Sequence, residues 1–343
     1  MKSRKFTTRA GATLDVSEMG LGAAPLGDLF EILDERTVFE TLTAAHEVGV
    51  TLFDTSPHYG NGLAEARCGA ALRGLPRDSF VFSTKVGRVM DPFKPPAPKN
   101  PDVYSPGFAG GFPHGARFDY SYDGTMRSVE HSLLRTGFSR IDILLIHDVD
   151  VWTHGDDYER RFGEAMGGAY KALDELRRTG FVKAIGVGVN ESEVATRFAT
   201  EGDFDTVLLA GRYSLLEQPA LETFLPLAVR KGIGVMLGGV FNSGILATGS
   251  IPGAKYNYAA APEDVMRTVR RIENVCARHG VPLRRAALAF ALAHPAVISV
   301  VIGAVKPAEP RANAADLAQP IPAALWSDLK AEGLLAADAA VPA

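Results

Sequence analysis

The chain has 343 residues, 46% of them hydrophobic and 22% charged, which suits a water-soluble globular fold with a large core. Its formal net charge of −4 provides no basic footprint for nucleic acid or an anionic membrane. The two cysteines, Cys68 and Cys276, are too few for a disulfide framework and lack metal-ligand spacing, so a reducing, cytoplasmic setting and no metal site are expected. The opening "MKSRKFTTRAG" has no apolar signal core, and no apolar run approaches the roughly 18 residues needed to span a bilayer.

In chain order, "KFTTRAGATLDVS" reads as a short hairpin. A weak strand follows at 19–24, then strands at 50–56, 80–87, 141–148, 182–190, 205–211, 234–240 and 298–304. Helical segments lie between them. Met126, Val129 and Leu133 share one face of a helix that stops at Gly137. Leu173 and Leu176 share another, with an Asp174–Arg178 pair and a stop at Gly180. A third helical stretch, 262–280, opens on proline and closes on glycine. Eight strands alternating with helices predict a (β/α)₈ TIM barrel, capped at its bottom by the N-terminal hairpin, in a single domain spanning 1–343. The glycine-rich run 20–27 lacks the G-x-G-x-x-G spacing of a doubly wound dinucleotide fold. Residues 88–121 are rich in Pro, Gly and aromatics and show no strand or helix pattern. They are expected to be a long loop on the C-terminal rim, of the kind that acts as a lid or binding loop.

In such a barrel the catalytic groups stand at the C-terminal ends of several strands. Here those ends carry Asp54, with Tyr59 in the following loop, then Lys85, His147 and Asn190. Each has a plainer reading taken singly. Lys85 is a strand's solvated exit, His147 a rim histidine satisfied by Asp148, "DTS" a turn or helix cap, and Tyr59 packing beneath a lid. Together they make a proton-transfer device for a C–OH/C=O couple. A phenol with a reference pKa of about 10 would be drawn down by a neighbouring ammonium, the ammonium held by Asp54, and the substrate oxygen oriented by His147. Nothing in this set carries a reducing equivalent, so a bound cofactor must.

"FDTSPHYG", "STKVG", "LLIHD", "GVGVN" and "VVIGAVKPAEPRANAADL", in this order over nearly the whole chain, resemble the motifs of the aldo-keto reductase superfamily. The resemblance implies a barrel that binds a nicotinamide cofactor at its C-terminal mouth, with Asp54, Tyr59, Lys85 and His147 as the catalytic tetrad. It implies Gly22, Asn190, Phe241, Gly303, Lys306, Glu309 and Asn313 as cofactor residues, with Asn190 on the nicotinamide carboxamide and Asn313 on the adenine. Members that prefer NADPH carry a cation and an arginine where this chain has Gly303 and Glu309, so NAD is expected ahead of NADP, with Lys306 near enough to meet a phosphate. Val189, Ala210 and the run "LGGVFNSGIL" depart from the common pattern. The segments 118–137, 146–155 and 209–218 resemble the branch of aldose 1-dehydrogenases, which has pyridoxal 4-dehydrogenase and plant L-galactose dehydrogenase as relatives.

The implied reaction is oxidation of the anomeric hydroxyl of an aldose to a lactone. The alternatives are pyridoxal 4-dehydrogenation, general aldehyde or ketone reduction, and a nucleotide-sensing channel subunit, against which the intact tetrad speaks. The partner is then a small-molecule sugar or aldehyde, with no nucleic acid and no membrane, and the oligomeric state is left open. Substrate contacts are expected from Asp148, Trp152 and His154, and from His114, Arg117 and Asp119 in the long loop.

Overall fold

The computed structural model describes residues 1–96 and 108–342. Fourteen strands follow one another among the described residues. β1 (Ser3–Thr7) and β2 (Thr13–Ser17) form the N-terminal hairpin, and then come β3 (Met19–Gly22), β4 (Leu52–Asp54) and β5 (Val81–Val86). β6 (Arg88–Asp91) and β7 (Gly115–Phe118) precede β8 (Ile143–His147), β9 (Ala184–Val189), β10 (Thr206–Ala210) and β11 (Gly234–Gly238). β12 (Lys255–Tyr256), β13 (Ala259–Ala260) and β14 (Val297–Gly303) complete the set.

Eight of these, β3, β4, β5, β8, β9, β10, β11 and β14, close into an all-parallel barrel in that order. They coincide with the eight strands read from sequence. Every residue of β4, β5, β8 and β9 is buried, which is why β8 and β9 read as near-continuous apolar runs rather than as alternations. The antiparallel hairpin β1–β2 plugs the bottom, where Phe6, Leu14 and Val16 pack on Leu52, Val81, Ile143 and Ile298.

Local chemistry sets the helix ends. Asp34 caps helix Glu35–Glu47 by accepting from Thr37 N at 2.9 Å, and Ser121 caps Tyr122–Thr136 by accepting from Gly124 N at 3.0 Å. The latter helix ends on Gly137 at φ 66°.

The expectation of no regular structure over 88–121 is corrected. β6 pairs with β7 in antiparallel register, Arg88 opposite Phe118 and Asp91 opposite Gly115. A four-residue strand whose partner lies about 25 positions away leaves no period long enough to read. The part of this segment at 97–107 lies outside the described residues.

Candidate active site

Register places the four strand ends side by side. Asp54 is level with Ser83 on β5, Lys85 with Leu145 on β8, and His147 with Gly188 on β9. Lys85 Nζ donates to Asp54 Oδ2 at 2.6 Å and to the Thr55 carbonyl at 2.7 Å, and Ser83 Oγ donates to Asp54 Oδ1 at 2.8 Å. Both members of the pair are buried. Burial pulls the Lys85 ammonium's pKa down, but the charge of Asp54 and then Tyr59 more than offset it, so the lysine stays protonated. Its Nζ lies 4.7 Å from the centre of the Tyr59 ring.

Tyr59 sits at the start of a tight turn, Tyr59–Gly62, in which Gly60 and Asn61 take left-handed conformations. A Cβ on Gly60 would lie 2.5 Å from the Gly27 carbonyl oxygen, and one on Gly27 would lie 2.6 Å from the Tyr59 carbonyl carbon. The two glycines therefore let the turn press directly onto the segment after β3. The expectation that Lys85 draws the phenol towards neutrality is corrected. Enclosure by the mouth wall raises the Tyr59 pKa to about 12, and Lys85 only counteracts this, by charge and by hydrogen bonding.

His147 is buried, and its ring centre is 5.8 Å from that of Tyr59. Burial, then Lys85 and Arg88, hold its pKa well below the ordinary histidine value, so the ring is neutral. Asp148 turns back over the mouth with φ +52°, its amide donating to the Gly188 carbonyl at 2.9 Å. One of its oxygens lies 3.3 Å from His147 Nε2, and the other accepts from Arg88 Nη1 at 2.8 Å.

Arg88, Ser56 and His58 belong to this site and were missed in the sequence. Ser56 Oγ touches His147 Nδ1 at 3.0 Å, and the His58 ring lies 6.2 Å from His147, with its Nδ1 buried and unpartnered among the described residues. Ser56 and His58 stood inside "FDTSPHYG", and Arg88 directly after "TKVG". Their signal was position next to a tetrad residue rather than residue type.

Asn190 is on the same rim. Its Nδ2 donates to Asp150 at 2.9 Å and to Asp148 at 3.4 Å, and its backbone carbonyl accepts from Arg212 Nε at 2.8 Å. Trp152 is half-buried and anchored by its amide to Glu191 at 3.0 Å, with the Arg212 guanidinium 5.5 Å from its ring centre. His154 is turned to the long segment's end. Its Nε2 is 3.1 Å from the Tyr120 hydroxyl, which itself donates to the His147 carbonyl at 2.9 Å, and its ring meets Phe118 edge-on. Arg117 and Asp119 pair with each other and line an outer cleft of about 540 Å³ with Arg161 and Glu164. His114 has a buried, unpartnered Nδ1 among the described residues.

A nicotinamide dinucleotide at this mouth would need polar partners and room. The Thr55 hydroxyl, beside the Asp54–Lys85 pair, is buried without a partner among the described residues, as a hydroxyl awaiting a polar ligand would be. Gly22 and Gly303 end neighbouring strands, and a Cβ on Gly303 would meet Pro25 at 2.7 Å, so that glycine has a packing reason as well. Glu309 accepts from the amides of Val305 and Lys306 at 2.7 and 3.2 Å, while Lys306 is exposed. Phe241 packs half-buried against the core, and Asn313 is buried facing a void of about 10 Å³ between its helix and the barrel wall. The unpartnered Thr55 hydroxyl, the polar Asn190 and the side-chain-free strand ends at Gly22 and Gly303 suit a nicotinamide dinucleotide, and these residues would hold it.

No described helix is long and apolar enough to cross a membrane, and no metal-ligating cluster occurs among the described residues. Over its whole length the fold is similar to that of an aldo-keto reductase of Bacillus halodurans in its holo form, with a TM-score of 0.74 at 24% identity, covering 100% of this chain and 98% of that one. Pyridoxal 4-dehydrogenase of Microbacterium luteolum is 42% identical over 94% of this chain and 95% of its own length. D-threo-aldose 1-dehydrogenase of a Pseudomonas species is 39% identical over 93% and 95%. The sequence profile of the aldo/keto reductase family matches residues 18–332, and with it the chain belongs to that family of NAD(P)-linked oxidoreductases.

Proposed function

We propose that the protein oxidises the anomeric hydroxyl of an aldose to the lactone, with NAD as the preferred acceptor. The observation that carries this reading is the buried Lys85–Asp54 pair, 2.6 Å long, with its ammonium beneath the Tyr59 ring and His147 alongside. Bound nicotinamide supplies a hydride acceptor for the anomeric carbon. Tyr59 takes the hydroxyl proton, and Lys85 stabilises the phenolate of the proton-accepting form. Asp54 holds Lys85 in place and balances its charge. His147 donates to the substrate oxygen, and Asn190 orients the carboxamide. Asp148 and Trp152, on the same rim, would meet a sugar's other hydroxyls and its C–H face, and aldoses and pyridoxal, named in the two relatives above, close into cyclic hemiacetals.

That shared chemistry is also what a second reading rests on. The 42% identity to a pyridoxal 4-dehydrogenase favours pyridoxal, whose ring hemiacetal would meet the same tetrad. The test is kcat/KM for L-fucose, D-arabinose, L-galactose, pyridoxal and a simple alcohol, each with NAD and NADP. A site that bonds hydroxyls discriminates strongly against substrates without them. An aldose should therefore lead. Pyridoxal ahead of every aldose replaces the first reading by the second, and a simple alcohol equal to both overturns the two together.

A further inference from the structure

His147 Nδ1 has two neighbours. Ser56 Oγ lies 3.0 Å away and Arg88 Nη1 3.4 Å away. Ser56 Oγ accepts from the His58 amide at 3.1 Å, so its own proton is free to point at Nδ1. A guanidinium has donors only. Both contacts therefore want a lone pair on Nδ1, and the ring's one proton belongs on Nε2. On that side lies Asp148 Oδ1 at 3.3 Å, while Asp148 Oδ2 is held by the same Arg88 nitrogen at 2.8 Å.

Arg88 is built into place. It is buried, lies 4.4 Å over the Phe118 ring, and follows Gly87, whose φ of +104° aims it across the mouth. A Cβ on Gly87 would stand 2.3 Å from the Tyr120 ring. No step of the proposed reaction uses Arg88 directly.

We propose that Arg88 is a positioning residue that fixes the proton of His147 on Nε2 and keeps the Asp148 carboxylate from capturing it. This rests on the reading of His147 as the donor to the substrate oxygen. The groups facing the ring are Lys85, balanced by Asp54, the neutral Tyr59 and His58, and the Arg88–Asp148 pair. Without Arg88, the Asp148 charge is uncompensated against Nε2. The imidazolium is then favoured, and its proton is shared with Asp148 instead of the substrate. The sign follows: loss of Arg88 raises the pH at which the ring deprotonates, so activity is lost on the acid side.

The experiment is ¹⁵N NMR of the histidine rings of the full-length protein without substrate, with His147 assigned by His147→Gln, alongside pH profiles of kcat/KM on the best aldose with NAD. In the wild type His147 should be a neutral Nε2–H ring across the accessible range. In Arg88→Met it should titrate at higher pH, and kcat/KM should fall about tenfold at pH 6 with a smaller loss at pH 9. Arg88→Met/Asp148→Asn should return the ring to its neutral form. Wild-type nitrogen shifts in Arg88→Met, or a loss of activity equal at all pH values, overturns the proposal. If Arg88→Met does not fold, Arg88→Lys decides. A lysine keeps the positive charge but is shorter and lacks the planar guanidinium held over Phe118, so the acid limb should move partway, and an unmoved limb overturns the idea. Full turnover in His147→Gln would instead remove the donor role of His147, while the ring shifts still decide what Arg88 does.

Discussion

Lys85 Nζ and Asp54 Oδ2 lie 2.6 Å apart inside the barrel, both side chains almost wholly removed from water. A pair in that position cannot be opened from one side without leaving a charge stranded. Lys85→Met should therefore do two things. It should abolish turnover, and it should lower stability by roughly 3–5 kcal/mol, because Asp54 keeps a buried charge bonded, among the described residues, by Ser83 and no cation. Adding Asp54→Asn should recover much of the stability and none of the activity. Denaturant unfolding of the three variants checks this. An unshifted midpoint in Lys85→Met would show that the pair is solvated and that the account of the floor of the site is wrong.

The Tyr59 hydroxyl gives a second outcome. Enclosure lifts its pKa to about 12, with Lys85 only partly countering. For an acid with its pKa above the working range, the deprotonated fraction grows about tenfold per pH unit. Oxidation needs the phenolate as proton acceptor, so kcat/KM for oxidation should climb from pH 7 to 9 without a plateau. Carbonyl reduction, which needs the phenol, should stay nearly flat over the same range. Tyr59→Phe should lose several powers of ten and the slope with them. A plateau near pH 7 in the wild type would mean that bound ligands, or a group other than Tyr59, set the proton transfer.

The barrel was legible because its strands are buried on both faces. The run "ILLIH" is apolar until its last residue, and that residue is the one at the mouth. The four residues read as a tetrad lie together for the same reason, since Asp54 and His147 end strands, Lys85 stands one residue before an end and Tyr59 follows one closely. Arg88 stayed hidden for the same reason. Its reach to His147 and Asp148 depends on the β6–β7 pairing and on the turn at Gly87, neither of which leaves a periodic mark. The Tyr59 pKa was misjudged because sequence shows which charges are adjacent and not how completely a mouth excludes water. His154 was read as a substrate contact from its place in "DVWTHG", yet a partner 34 positions away, Tyr120, holds its Nε2 at 3.1 Å.

Cofactor choice is expected to turn on Glu309. Its carboxylate occupies the amides of Val305 and Lys306 at the start of helix Ala308–Leu317, the place where a 2′-phosphate would look for donors. Gly303 contributes no charge there, and the exposed Lys306 is the cation at hand. A phosphate would have to displace or face an anion already bonded to those amides, so NAD is expected to lead NADP by kcat/KM. Glu309→Gln removes the repulsion while keeping an acceptor for the amides. It should narrow the preference by about tenfold, which corresponds to about 1.4 kcal/mol. Glu309→Arg should go further and favour NADP, losing about 1 kcal/mol of stability with the cap. Lys306→Ala separates the remaining possibility. It should leave NAD kinetics unchanged and weaken only NADP. If the wild type prefers NADP and Lys306→Ala abolishes that preference, the exposed lysine and not the capping glutamate governs the site.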